Sequence, residues 1–294
     1  MTAAVARPDS GNRSFLLLVG SAAAFRVTLM LLACCVVGVV GSRLLADGPS
    51  GLWAHGGRML PAALLAALIV VSTGALAVRA VREARADIAL RRMLRARAAA
   101  PDARVSRIAA RFGLTGRVRV VDDEDPYAFT HGYLRPGVVL SVALARALDD
   151  AQLSAVLAHE SAHVRGRDPL KVLVARLVVS REFHLPLLRH VSARFVAGRE
   201  LAADRRALRA CGAGAVAGAL LRVLGPPDWA RSTPAAAMAA DSDLRARISQ
   251  LETGVEPCPP PAPRGWTLVS LLSGVLVLAA ATQAYVVVQW YCGM

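Results

Sequence analysis

Lysine is almost missing from this chain. Lys171 is the only one among 35 basic residues, and no Ser-x-x-Lys occurs in the 294 residues. A serine acylated with the help of a lysine three positions on is thereby excluded. Cysteine is sparse as well. Cys34, Cys35, Cys211, Cys258 and Cys292 have no zinc-finger spacing, so a cysteine-built zinc module is excluded. Acidic residues number only 21, leaving a net charge of +14. Such an excess suits nucleic acid, but aromatic residues make up only 5%. No nucleic-acid motif or aromatic interleaving accompanies the charge, so direct nucleic-acid binding is not expected. No internal repeat is present.

What the chain does have is apolar length. Its hydrophobic content is 55% and its mean hydropathy +0.45, and three segments account for this. Residues 265–291 carry no charge, and Trp266, Trp290 and Tyr291 mark the two ends, as interfacial aromatics do. Residues 59–78 are also uncharged. Residues 15–41 are interrupted by Arg26, which is expected to snorkel to the cytoplasmic interface. No cleavage site follows Cys34-Cys35, so a retained anchor is expected rather than a signal peptide. Arg79, Arg82, Arg85, Arg91, Arg92, Arg95 and Arg97 follow the second segment, whereas the loop 43–58 carries only Arg43 and Arg58 against Asp47. The positive-inside rule then predicts a cytoplasmic N-terminus and a cytoplasmic region after residue 79. Topology and anionic lipid account for the basic cluster. Cys211 and Cys258 would lie in that reducing region.

The chemistry-bearing motif is His159-Glu160-Ser161-Ala162-His163, an H-E-x-x-H. On a helix, positions i and i+4 share a face, so two imidazoles reach one Zn²⁺. Glu160, beside the first histidine, is placed to take a proton from a metal-activated water. Asp149 with Gln152 three positions on predicts a capping box. Leu153, Val156 and Leu157 recur at helical spacing, and Gly166 is expected to stop the helix. The alternative is an ordinary amphipathic helix with two surface histidines.

A catalytic zinc usually takes three protein ligands. In a layout with x-x-Gly-x-x-His after the motif, Gly166 fits but Pro169 stands where the ligand belongs, and Asp168 is one position short. In the other layout the third ligand comes from a later helix. Glu200 and Asp204 in Gly198-Arg199-Glu200-Leu201-Ala202-Ala203-Asp204 are i and i+4. Glu200 is the expected ligand. Asp204 is expected to accept from the far nitrogen of a ligand histidine and fix its tautomer. The alternative is a solvated charged face, given the flanking Arg199, Arg205 and Arg206.

His159-Glu160-x-x-His163 followed by Glu200-x-x-x-Asp204 resembles the membrane-tied gluzincin metallopeptidases. Two families are close: the BlaR/MecR-type antirepressor metallopeptidases and the Ste24/HtpX-type proteases. Ala128-Phe129 before Gly132, Arg135-Pro136, Val138-Val139-Leu140-Ser141 and Arg165-Gly166-Arg167-Asp168 resemble the segments flanking the zinc helix in both. The resemblance covers about 120–210 by motif and the membrane segments by layout only. The order of parts is closer to the BlaR/MecR type, but a penicillin-binding sensor is expected to be lacking. Sensing of β-lactams through an acylated serine is excluded, so any signal enters another way.

The resemblance implies a mainly α integral membrane protein with an α+β zincin-like (gluzincin) cytoplasmic domain. The expected layout is a membrane anchor at 1–98, with spans at about 15–41 and 59–78 and a basic juxtamembrane helix. A zinc metallopeptidase domain at 99–255, a stiff Pro-rich linker at 256–264 and a span at 265–291 follow. A small sheet is expected from 117–121 and 127–141. The run 169–189 reads as one amphipathic helix. Gly225-Pro226-Pro227 and Ser232-Thr233-Pro234 read as loops, and 235–252 as a helix.

The expected function is a membrane-anchored zinc endopeptidase acting on a protein or peptide substrate, with Glu160 catalytic and His159, His163 and Glu200 on the metal. A cytoplasmic DNA-binding repressor is the substrate that the antirepressor likeness implies. A Ste24/HtpX-like quality-control protease and a non-catalytic signalling scaffold with a structural zinc are the alternatives; Glu160 argues against the scaffold. Val138, Val139, Leu140 and Ser141 either offer their backbone to an extended substrate or are a plain structural strand. His184, His190, Tyr133 and Arg206 are candidate oxyanion donors.

Overall fold

The computed structural model describes residues 10–48, 50, 60–100, 102–223, 244–258 and 261–292. The loops at Gly225-Pro226-Pro227 and Ser232-Thr233-Pro234, Arg58, and the first part of the helix expected at 235–252 lie outside the described residues. In chain order the elements are α1 (Ser10–Asp47), α2 (Leu60–Ala96), β1 (Ala98–Ala99), α3 (Ala103–Arg111), β2 (Val118–Val121), β3 (Ala128–His131), β4 (Gly137–Ser141), α4 (Val142–Ala147) and α5 (Asp150–Gly166). Then come α6 (Asp168–Arg181), α7 (Pro186–Cys211), α8 (Ala213–Leu220), α9 (Leu244–Thr253) and α10 (Arg264–Cys292). The chain divides into two compact units. One is drawn from Met1–Phe15, Ala80–Arg176 and Ser192–Pro260, the other from Leu16–Arg79, Leu177–Val191 and Pro261–Met294.

The first unit is built on a four-stranded sheet of order β1-β2-β4-β3. β2 runs parallel to β4, and β3 is antiparallel to β4. Strand side chains alternate between faces. Val120, Ala128, Val138 and Leu140 enter a core with Leu153, Val156 and Leu157 of α5. Their neighbours Val121, Phe129 and Val139 pack with Leu90 and Leu94 of α2 on the opposite face. Burial on both faces explains why Val138–Ser141 reads as an unbroken apolar run.

That position decides between the two readings of Val138–Ser141 in favour of a structural strand. Val138, Val139, Leu140 and Ser141 lie in the central strand, paired with β2 on one side and β3 on the other. Their backbone groups are already engaged, so β4 cannot take up an extended peptide as an extra strand. Ser141 has a structural task instead: its hydroxyl accepts from the Leu144 N–H and caps α4, and also accepts from the Tyr127 N–H. The open edge beside β4 belongs to β3.

α5 starts as expected. Asp149 caps the Gln152 N–H, and the Gln152 side chain accepts from the Asp149 N–H. The helix also ends at Gly166 as expected, though not through a left-handed glycine. The residue in the left-handed conformation is Arg167, with φ 51°, and Gly166 is the last helical residue. Glycine at 166 gives clearance: a Cβ there would stand 2.6 Å from both Arg199 Nη2 and Asp168 Oδ1. Gly198 on α7 is needed for a second close approach, since a Cβ would stand 2.7 Å from the Gly11 backbone nitrogen at the start of α1.

Among the described residues three helical segments are long and apolar enough to cross a membrane: Ser10–Leu31, Leu60–Ala96 and Arg264–Val287. In the second unit Leu29, Ala62, Leu65, Ala281 and Ala284 form a buried cluster that joins these helices. Residues 177–191 also belong to this unit. The run 169–189 is not one helix: α6 ends at Arg181, and α7 begins at Pro186, a residue suited to a first helical turn. Glu182, in the turn, corrects the expectation for Arg26. Arg26 does not snorkel outward; its guanidinium pairs with Glu182 and donates to the Arg181 carbonyl. The two side chains are 11% and 1% exposed. A charge in an otherwise uncharged stretch of α1 is tolerated here because a carboxylate meets it.

Candidate metal centre

α5 and α7 bring the predicted ligands together. His159 Nε2 lies 3.1 Å from His163 Nε2, and Glu200 oxygens lie 3.5 Å from each. Ligands about 2.0–2.1 Å from a tetrahedral ion stand about 3.3 Å from one another, so these spacings fit one zinc-sized cation. His159, His163 and Glu200 are the group that could hold a metal among the described residues.

The outer nitrogens settle the chemistry of the inner ones. His159 Nδ1 is 2.8 Å from Asp204 Oδ1, and His163 Nδ1 is 2.9 Å from Asp168 Oδ2. With each Nδ1–H donating to its carboxylate, both Nε2 lone pairs point at one another and at Glu200. Three electron-rich atoms at that spacing repel unless a cation joins them. Burial pulls the His159 imidazole down, but its hydrogen bonds to Asp204 and Glu200 and their charges outweigh it and push it up to about 10. Burial likewise opposes ionisation of Glu200, Asp204 and Asp168, yet the imidazoles and neighbouring arginines hold all three carboxyls below the usual range. The cage favours positive charge at its centre.

Each aspartate is held in turn by an arginine. Arg199 Nε donates to Asp168 Oδ2 at 2.9 Å. Arg247 on α9 grips Asp204 through Nε at 2.6 Å and Nη2 at 2.8 Å, and its Nη1 is 3.8 Å from Glu200 Oε2. Arg199 is therefore a buried part of the site and not a member of a solvated flank. Asp204 lies where its spacing placed it. Asp168 and Arg247 were not anticipated. Asp168 is five residues beyond His163, off any helical face, and only the left-handed turn at Arg167 brings it back.

Glu160 is buried beside the cage. The Thr130 hydroxyl on β3 donates to its Oε2 at 2.7 Å and lies 3.2 Å from its carbonyl. This contact orients the carboxylate. Thr130→Val should keep the fold and any bound metal while slowing turnover by about tenfold, roughly the worth of one hydrogen bond to a charged group. Metal content and steady-state cleavage measured on the same preparation check this, and unchanged turnover would remove Thr130 from the site.

Of the four oxyanion candidates, Arg206 is exposed on α7. Tyr133 keeps company with α2: burial and the nearby Asp87 and Glu83 carboxylates push its phenol up. His184 and His190 belong to the second unit.

Residues 95–202 match Peptidase family M48, a span that includes His159, Glu160, His163 and Glu200. A stretch of 75 residues is 40% identical to a protein named Protease HtpX homolog from Acidiphilium cryptum (strain JF-5). That stretch is 24% of this chain and 26% of the relative, so the chain spans about a quarter of the length of the curated relative it matches. Both matches fall on the Ste24/HtpX side of the resemblance; neither bears on the BlaR/MecR type. The matched segment 95–202 contains all three residues of the His159, His163 and Glu200 cluster.

Proposed function

We propose that this chain is a membrane-anchored zinc endopeptidase that hydrolyses peptide bonds in a protein substrate. One observation carries the reading: two imidazole Nε2 atoms and a carboxylate converge at 3.1–3.5 Å beside a buried, hydrogen-bonded glutamate. A structural zinc site has no use for that glutamate. In this reading residues 99–255 form the peptidase part and lie on the cytoplasmic side, as the arginines after residue 79 suggest.

His159, His163 and Glu200 would hold the ion, and Zn²⁺ bound there supplies a Lewis acid that makes a water acidic near neutrality. Glu160 accepts the proton of the attacking water and returns it to the leaving amine. Thr130 keeps the Glu160 carboxylate turned for both transfers. Asp204 and Asp168 keep the imidazoles in the tautomer that presents Nε2. An extended substrate would pair with the open edge of β3, which runs past Glu160 through Thr130.

The likeness to Peptidase family M48 and to a protein named as an HtpX homologue favours a membrane-proximal protein substrate in the Ste24/HtpX manner. Cleavage of a DNA-binding repressor is a narrower form of the same activity, distinguished by offering a winged-helix repressor beside casein.

The test is metal content and casein cleavage on purified full-length chain, wild type beside Glu200→Ala. Wild type should hold about one zinc per chain and cleave, while Glu200→Ala should lose both. If wild type cleaves after the metal has been stripped, the zinc reading is wrong.

A further inference from the structure

Each candidate ligand histidine is backed by an aspartate and each aspartate by an arginine, but the two relays differ in origin. Arg199 sits on α7, next to Glu200. Arg247 reaches Asp204 from α9, 43 residues further along the chain. α9 is pinned to α7 independently of that contact. Gln250, fully buried, donates to the Leu201 carbonyl at 2.9 Å, and Glu256 beyond the helix pairs with Arg205.

Charge and geometry give α9 a purpose. Glu160, Asp168, Glu200 and Asp204 are four carboxylates, and Arg199 and Arg247 neutralise two of them. The remainder matches a divalent cation. The Asp204 side chain is 1% exposed, so water cannot orient it. Its two oxygens are set by the planar fork of Arg247, and the oxygen that meets Nη2 is the one that meets His159 Nδ1. A fork of this kind fixes a carboxylate where a point charge cannot.

We propose that Arg247 is a positioning residue that completes the metal centre from α9. Its grip on Asp204 holds His159 with Nε2 toward the ion, so docking of α9 and metal binding stabilise each other. The inference rests on the zinc reading above. It also makes a prediction that a purely electrostatic role reverses. Removing a positive charge near the site would by itself tighten binding of a cation, whereas losing the fork loosens it.

The experiment uses the full-length chain in detergent. Zn²⁺ affinity is measured by competition with a chromophoric chelator, and hydrogen exchange over residues 244–253 is followed with and without Zn²⁺. Arg247→Ala should bind Zn²⁺ about tenfold or more weakly, in the range seen for outer partners of metal ligands. Arg247→Lys, which keeps the charge and is the milder change for folding, should be nearly as weak. Zn²⁺ should slow exchange over 244–253 in wild type and not in Arg247→Ala. Gln250→Ala, which removes one contact of α9 but leaves the Arg247 fork on Asp204, should affect Zn²⁺ affinity far less. Arg247→Ala or Arg247→Lys binding Zn²⁺ as tightly as wild type, or more tightly, overturns the proposal while leaving the zinc reading intact. Equal weakening by Gln250→Ala overturns the assignment to Arg247. Wild type without Zn²⁺ affinity, or His159→Ala binding as well as wild type, brings down the zinc reading itself and this proposal with it.

Discussion

Glu160→Gln should retain metal and lose turnover by about 10²–10⁴-fold, the usual worth of a positioned general base. The substitution is nearly isosteric, and an amide oxygen can still accept from Thr130, so the α5–β3 contact survives. What disappears is the capacity to take a proton. Glu160 makes none of the three converging contacts of the cage, so zinc content should stay at the wild-type level. This pairing of full metal with lost cleavage separates a catalytic glutamate from a structural one. If Glu160→Gln cleaves casein at the wild-type rate, Glu160 is not the general base and the proposed mechanism fails.

The second large effect lies away from the site. Glu182→Leu should destabilise the protein by about 3–5 kcal/mol, because it leaves the Arg26 guanidinium buried with its counter-charge removed. Among the described residues Arg26 then keeps the Arg181 carbonyl, at 3.4 Å. Replacing both partners, Arg26→Met with Glu182→Leu, should recover most of the loss, since apolar pairs of similar volume often do as well as a buried ion pair. Unfolding followed by circular dichroism in mixed micelles measures both. A single variant as stable as wild type would mean that water reaches the pair, and the burial argument would not hold.

These two predictions rest on different kinds of legibility. Glu160 was visible in the sequence because its neighbours are local. The spacings of His159 to His163 and of Glu200 to Asp204 are set by helical geometry alone, and Asp149 with Gln152 announces the helix that carries the first pair. The long apolar runs are visible for a similar reason: crossing a membrane needs only length and the absence of charge. Glu182 was not visible as a partner for Arg26. The two lie 156 residues apart, and no periodicity links them.

The same division runs through the candidate metal centre. By itself the sequence determined the motif helix, the Glu200 and Asp204 spacing, the apolar segments and the presence of a small sheet. Tertiary structure decided the rest. Strand order put Val138–Ser141 in the middle of the sheet and left the edge to β3, because hydrophobic strands announce burial but not their neighbours. Thr130 meets Glu160 across 30 residues and Arg199 meets Asp168 across 31. Arg247 on α9 and Asp168 behind its left-handed turn have no helical register with the histidines they serve. Each is an ordinary charged or polar residue until packing removes the water around it. A buried carboxylate must then find a fixed partner, and only the folded chain says which one.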